Sequence, residues 1–324
     1  MRLLIGLLFV AAMAFGTPDM LQAQDRYPSR PITLVVPVPP GGAADFIARL
    51  VGQKLSDALG QPVIVNNRGG ASGTIAAEVV AKSAPDGYTL LLNSITTHGI
   101  GPHLFSTLPY NPVTDFAAIS LVARLPLVMT VYAGEPMKSV ADVVAYAKAN
   151  PGKLTFASSG NGGAPHLAGE LFKMINGIDM VHVPYRGSGP AVIDVAGGRV
   201  DIMIDAVPSL QAMIEAGKLR PLATASAARQ SILPDVPTFN ELGIKGIEVS
   251  LWYGLLAPAK TPADIIERLN GALQAILKMP DVQESFAKQG AVPGWDTPAD
   301  YVAFMRAESE RWGEVVTKNN IKME

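Results

Sequence analysis

From residue 32 onward, short apolar runs alternate with stretches whose apolar residues recur every three or four positions. The runs ITLVVPV (32–38), PVIVNN (62–67) and YTLLLN (88–93) read as strands, and helical patterns over 45–59 and 74–82 lie between them. That alternation predicts βαβ units in a mostly parallel sheet. In the first helical stretch, Phe46, Ile47, Leu50, Val51, Leu55 and Leu59 share one face, which is expected to pack on the sheet.

The run ISLVARLPLVMTVYAG (119–134) is long for one strand and is broken by Pro126, as suits a chain passing from one sheet to another. A second βα series follows. KLTFAS, MVHVPY and VDIMIDA are its strands, with helices near 164–176, 188–196 and 208–216. A strand over 219–226, the proline-dotted ILPDVPTFNELG, and a further strand VSLWYGLLAP come next, so the chain crosses between sheets twice. The remainder is helical. TPAD at 261–264 and again at 297–300, and SVAD at 139–142, place Thr or Ser at a helix N-cap with Asp three residues on. Such a device contributes roughly 0.5–2 kcal/mol, so those acidic residues are assigned to capping.

Of the 324 residues, 48% are hydrophobic, enough to bury a substantial core and to favour two domains over one. The net charge of -2 leaves no electrostatic footprint for nucleic acid or an anionic membrane, so a bound anion must be held by local geometry. MRLLIGLLFVAAMAFGTPDMLQAQ at the start has one Arg, an apolar run and then small residues, the layout of a secretory signal over 1–23 cleaved after Ala23. Cysteine is absent, which removes disulfides, thiol nucleophiles and a lipid-anchor cysteine. His98, His103, His166 and His182 do not pair at metal-binding helical spacing. Neither a metal nor a cofactor is expected.

The candidate chemistry lies in loops. In PPGGAAD (39–45), Gly41 and Gly42 let a ligand approach the backbone, and the amides of Gly42, Ala43 and Ala44 open a helix. A helix N-terminus with unpaired amides seats a carboxylate or phosphate, although a strand-to-helix turn needs glycine for conformational reasons too. NNRGGASGT (66–74), SSGNGGAPH (158–166) and YRGSGPA (185–191) repeat the device. Four such loops converge if the strand ends of both series face one crevice. Ser94 and Thr96 add hydroxyl donors, and Arg186 is a candidate for a bidentate grip on a carboxylate. Asp205 either orients donors, receives a ligand amine or caps the helix that follows. Enzyme signatures are poor: there is no Walker A sequence, no G-x-S-x-G, no G-x-G-x-x-G after a strand, and SFAK (285–288) lacks its companion motifs.

The stretches PVPPGGAADFIAR, VNNRGGASGTIAAEVVAKSAPDGYTLLL, LFSTLPYNPVTDFAAISLVA, HVPYRGSGPAVIDVAGGRVDIMID, LPDVPTFNELG and WYGLLAPAKTP occur in order through nearly the whole chain. Together they resemble the tripartite tricarboxylate transporter substrate-binding proteins, also called Bug-type extracytoplasmic receptors. The resemblance implies an α/β, two-domain periplasmic-binding-protein fold with two hinge-crossing strands and a ligand cleft between the domains, divided as 24–124 plus 224–324 and 125–223. It implies first-domain contacts from Gly41, Gly42, Ala43 and the Ser94–Thr96 region, and second-domain contacts from Ser159, Gly160, Asn161, Tyr185, Arg186 and Asp205. Asn66 and Gly69 depart from the family's Glu-Asn-Arg-Pro-Gly. The implied function is capture of a small organic acid (dicarboxylate, tricarboxylate, amino acid or aromatic acid) by a soluble periplasmic monomer, without turnover. Delivery would be to an inner-membrane tripartite tricarboxylate transporter or to a sensor protein. The scarcity of aromatic residues in the loops, Tyr185 apart, favours an aliphatic acid. The runner-up is an exported serine-type hydrolase of small esters or amides using Ser159 or Ser94 with a histidine.

Overall fold

The computed structural model describes residues 27–318 and 321. The expected signal and its cleavage point lie outside the described residues.

The chain opens as two βαβ units. Strand β1 (Ile32–Val36) leads into α1 (Ala43–Leu59), β2 (Val63–Asn67), α2 (Thr74–Ala81) and β3 (Thr89–Ser94). β1 lies between β2 and β3, parallel to both, and Ile32, Leu34, Val35 and Val36 are buried, as a strand covered on two faces requires. On α1, Ile47, Val51, Leu55 and Leu59 are buried, whereas Phe46 and Leu50 at the margin of the predicted face are half-buried. Gly60 ends that helix in the left-handed conformation, its N–H bonding the Ser56 carbonyl. After β3 a π-helical turn (95–100) runs into the short α3 (Gly101–Leu104).

Strand β4 (Phe116–Tyr132) then crosses the molecule. The second series comprises α4 (Val140–Ala149), β5 (Thr155–Ser158), α5 (Ala164–Asn176), β6 (Val181–Pro184), α6 (Ser188–Ala196), β7 (Ile202–Ala206), α7 (Val207–Glu215) and β8 (Leu219–Thr224). Strand β9 (Ser250–Pro258) returns, followed by α8 (Ala263–Leu277), α9 (Pro280–Ala287), β10 (Val292–Pro293) and α10 (Pro298–Lys318). The strands run in the order β2-β1-β3-β9-β4-β7-β5-β6, with β8 and β10 also on β4.

The crossing falls at Pro126. Before it β4 pairs with β9, and after it with β7 and β8, so the residue lacking an N–H sits where the strand changes partners. Leu127 donates to the Val249 carbonyl, Val249 to that of Ala225, and Ala225 to that of Leu127. These bonds bind the outgoing strand to the chain returning from β8 to β9.

Two expectations change. The sheet is parallel only within β2-β1-β3 and β6-β5-β7; β4 and β9 pair antiparallel because one carries the chain out of the first lobe and the other brings it back. At TPAD 261–264 the cap lies one residue later: Pro262 is the N-cap, and the Thr261 hydroxyl donates instead to the Pro258 carbonyl, tying the end of β9. The other two caps form, the Asp142 amide donating to Ser139 Oγ and the Asp300 amide to Thr297 Oγ1.

Candidate functional site

The cleft between the lobes holds two adjoining chambers of about 660 and 780 Å3. Thr96, Ser159, Arg186, Leu251 and Tyr253 line both. The smaller is walled by Gly70–Gly73, Ser94, Gly160 and Asn161, and the larger by residues 39–44, 163–165 and 187–190 together with Asp205.

Helix starts make most of these walls. The N-caps Gly42 of α1, Gly163 of α5 and Gly187 of α6 carry no capping side chain, so nothing competes with a ligand for the first-turn amides. In the smaller chamber, Gly73 and Ser94 begin α2 and the π-helical turn. Partial positive charge therefore faces the cleft from both lobes. The first loop is braced by Asp45, whose carboxylate accepts the Gly41 amide at 3.0 Å, Arg49 Nε at 3.0 Å and Asn67 Nδ2 at 3.0 Å. Ala71 and Ser72, with φ of 44° and 53°, hold a left-handed conformation that costs non-glycine residues energy and collects at ligand sites.

Among the described residues, two charged side chains line the cavity. Arg186 is exposed and makes no ion pair or hydrogen bond with any described residue. Asp205 is buried; burial pushes its carboxyl up to about 6, against hydrogen bonds from Ser188 Oγ at 2.6 Å and the Ala206 amide at 2.7 Å.

Behind the loop after β5 lies a neutral polar cluster. Ser158 Oγ meets His182 Nε2 at 2.7 Å, and the Gly162 amide donates to His166 Nδ1 at 3.1 Å. The two imidazoles stack at 3.9 Å. Burial lowers His166 to about 4, with help from Lys173, and His182 to about 3, with help from His166 and Lys173. Burial likewise lowers His98, packed against Tyr110 and Phe116, to about 3. The unfolded chain takes up these protons near pH 6.5 and the folded one only near 3–4. Stability is therefore complete above pH 6.5 and falls as the pH drops toward 4. Asp205 acts oppositely, its contribution being full below about pH 4 and lost as the pH rises through 6. Burial raises Glu135 and Asp296 as it does Asp205, while hydrogen bonds hold Asp45 and Asp142 low and so act with the three histidines; the urea midpoint is expected to be lower at pH 4.5 than at pH 7, and His98→Phe to reduce the difference. A wild-type midpoint equal at both pH values would refute the neutral packing.

Of the residues singled out from the sequence, Gly41, Gly42, Ala43, Thr96, Ser159, Arg186 and Asp205 line the larger chamber, and Ser94, Thr96, Ser159, Gly160, Asn161 and Arg186 the smaller. Tyr185 is not brought to the cavity. Its hydroxyl donates to Asp194 at 2.7 Å and its ring packs on the second-lobe core, because its side chain turns toward α6. Sequence reading missed Tyr253, Leu251 and Phe46, whose apolar pattern marks only core. The cleft is thus less poor in aromatics than its loops. The hydrolase geometry is not found: neither Ser159 nor Ser94 bonds a histidine among the described residues, and of the serines that do, Ser158 is fully buried against His182 and Ser309, which meets His103, lines neither chamber.

Residues 47–321 match the family described as "Tripartite tricarboxylate transporter family receptor". Protein BugT of Bordetella pertussis is 39% identical over 317 residues, covering 98% of this chain and 96% of that protein. Among solved structures, a protein of R. palustris with adipate is 38% identical with a TM-score of 0.86, covering 92% of this chain and 100% of that one. MatC from Rhodopseudomonas palustris with bound malate is 33% identical with a TM-score of 0.81, covering 90% and 100%.

Proposed function

Because this chain belongs to the tripartite tricarboxylate transporter family of receptors, we propose that it is a solute-binding protein that captures a small carboxylate between its lobes and hands it on unchanged to a tripartite transporter. The observation that carries this reading is the set of uncapped helix starts, from both lobes, around an Arg186 that pairs with no described residue. Such a site rewards an anion twice, through helix amides and through a charge-assisted guanidinium contact. The adipate and malate of the two structural relatives support an aliphatic acid of similar size.

The lobes close as hinged bodies with boundaries at 24–124 plus 224–324 and 125–223, bending where Leu127, Ala225 and Val249 meet. The protein acts in the periplasm as a monomer, and its partners are the membrane subunits of the transporter or a sensor. Among the described residues no helix is long and apolar enough to cross a membrane.

A thermal-shift screen of mono-, di- and tricarboxylates, with bound solute recovered by mass spectrometry, tests the reading. A ligand at 100 times its Kd adds about 2.7 kcal/mol of stability. A stabilising acid recovered intact is expected, with Arg186→Ala weakening it roughly 10- to 100-fold, since a hydrogen bond to a charged group contributes about 1.5–3 kcal/mol. A chemically altered solute would return weight to hydrolysis.

A further inference from the structure

Resting on that receptor reading, we infer that the cleft selects acids carrying a hydrogen-bond donor on their carbon chain, a hydroxyl or an ammonium, and that Asp205 and Tyr253 recognise this donor.

An anion receptor with a carboxylate in its own wall poses an electrostatic problem. Asp205 lines the larger chamber at 2% exposure, and no Lys, Arg or His pairs with it among the described residues. Its Oδ2 accepts the Ser188 hydroxyl and its Oδ1 the Ala206 amide, which leaves lone pairs on both oxygens. An ionised carboxylate only accepts hydrogen bonds, so what it can welcome from a ligand is a donor. Like charges keep the ligand's own carboxylate away from it, toward Arg186 and the start of α1.

Tyr253 supplies an independent observation. It is 7% exposed, lines both chambers, and its hydroxyl hydrogen-bonds no described residue. Burial, and then the charge of Asp205, raise its pKa, so it stays a neutral phenol able to donate and to accept. Asp205 is the penultimate residue of β7 in the second lobe and Tyr253 lies on the returning strand β9. A donor held by both is thus gripped across the hinge. An acid without a donor leaves Asp205 desolvated and its spare lone pairs unmatched on closure, and a site built to hydrogen-bond discriminates strongly against such an analogue.

Isothermal titration of succinate, malate and aspartate, and of glutarate, 2-hydroxyglutarate and glutamate, tests the inference. Within at least one series a donor-bearing acid is expected to bind ten or more times tighter than its unsubstituted parent. Preference for the amino acid assigns an ammonium, and preference for the hydroxy acid a hydroxyl. In Asp205→Asn and Tyr253→Phe combined, checked for folding by circular dichroism, the ratio is expected to fall within threefold. Equal affinities within both series in the wild type, or a ratio that persists in the double variant, would overturn the inference and leave the receptor reading standing. If none of the six binds while another carboxylate stabilises the protein in the thermal-shift screen, the inference falls and the receptor reading stands; if no carboxylate binds in either experiment, the receptor reading falls as well.

Discussion

Leucine at Gly42 is expected to abolish carboxylate binding while the protein remains folded. Gly42 is the N-cap of α1 with φ -101° and ψ -178°, an extended backbone that any residue adopts. A Cβ built there meets nothing within 4 Å, and the space it enters is the larger chamber. The side chain would occupy the approach to the first-turn amides and exclude an anion from them. The stability cost is that of a poorer N-cap, about 1 kcal/mol. Titration should show Kd raised at least roughly 100-fold, about 2.8 kcal/mol at 1.4 per decade, with the urea midpoint moved only slightly. Wild-type affinity in Gly42→Leu would mean that the solute does not use the start of α1.

Gly254 is expected to behave in the opposite way. It lies in β9 between Asn93 of β3 and Leu121 of β4, and a Cβ there would run into the Tyr301 hydroxyl and ring, with the Ser120 carbonyl oxygen 2.7 Å away. Tyr301 is fully buried and donates to Asn93 Oδ1 at 2.8 Å, and Asn93 is itself buried. Gly254→Ala must therefore move a packed aromatic ring and break a buried hydrogen bond. Overpacking costs about 1–3 kcal/mol and an unsatisfied buried polar group about 1–3 more. A loss of roughly 3–5 kcal/mol is a large part of the 5–15 typical of a folded domain. Denaturant unfolding with an unchanged slope and a strongly lowered midpoint is the expected result. A midpoint equal to wild type would show that Tyr301 does not pack over this strand.

How much of this was legible beforehand varies with the range of the interaction. The helices over 164–176 and 188–196 match α5 and α6 because their apolar spacing and flanking glycines are local signals. The passage of the chain at Pro126 was legible for the same reason, proline being a local constraint on strand pairing. Thr261 misled because its hydroxyl had two uses within reach, and contact with Pro258 at the end of β9 won. Tyr185 misled because a resemblance assigns a position and leaves the direction of a side chain open.

The sequence by itself determined the two βα series, the glycine-opened helix starts and the candidate Arg186 and Asp205, since each depends on residues within a few positions of one another. Only the tertiary structure decided which of these features face one cavity. It placed Tyr253, a residue with a core pattern, beside Asp205 in the cleft wall and turned Tyr185 away from it. It also separated Gly42, beside empty space, from Gly254, under a tyrosine. Both letters read the same in the chain, and what distinguishes them is the atoms that distant segments bring within 4 Å.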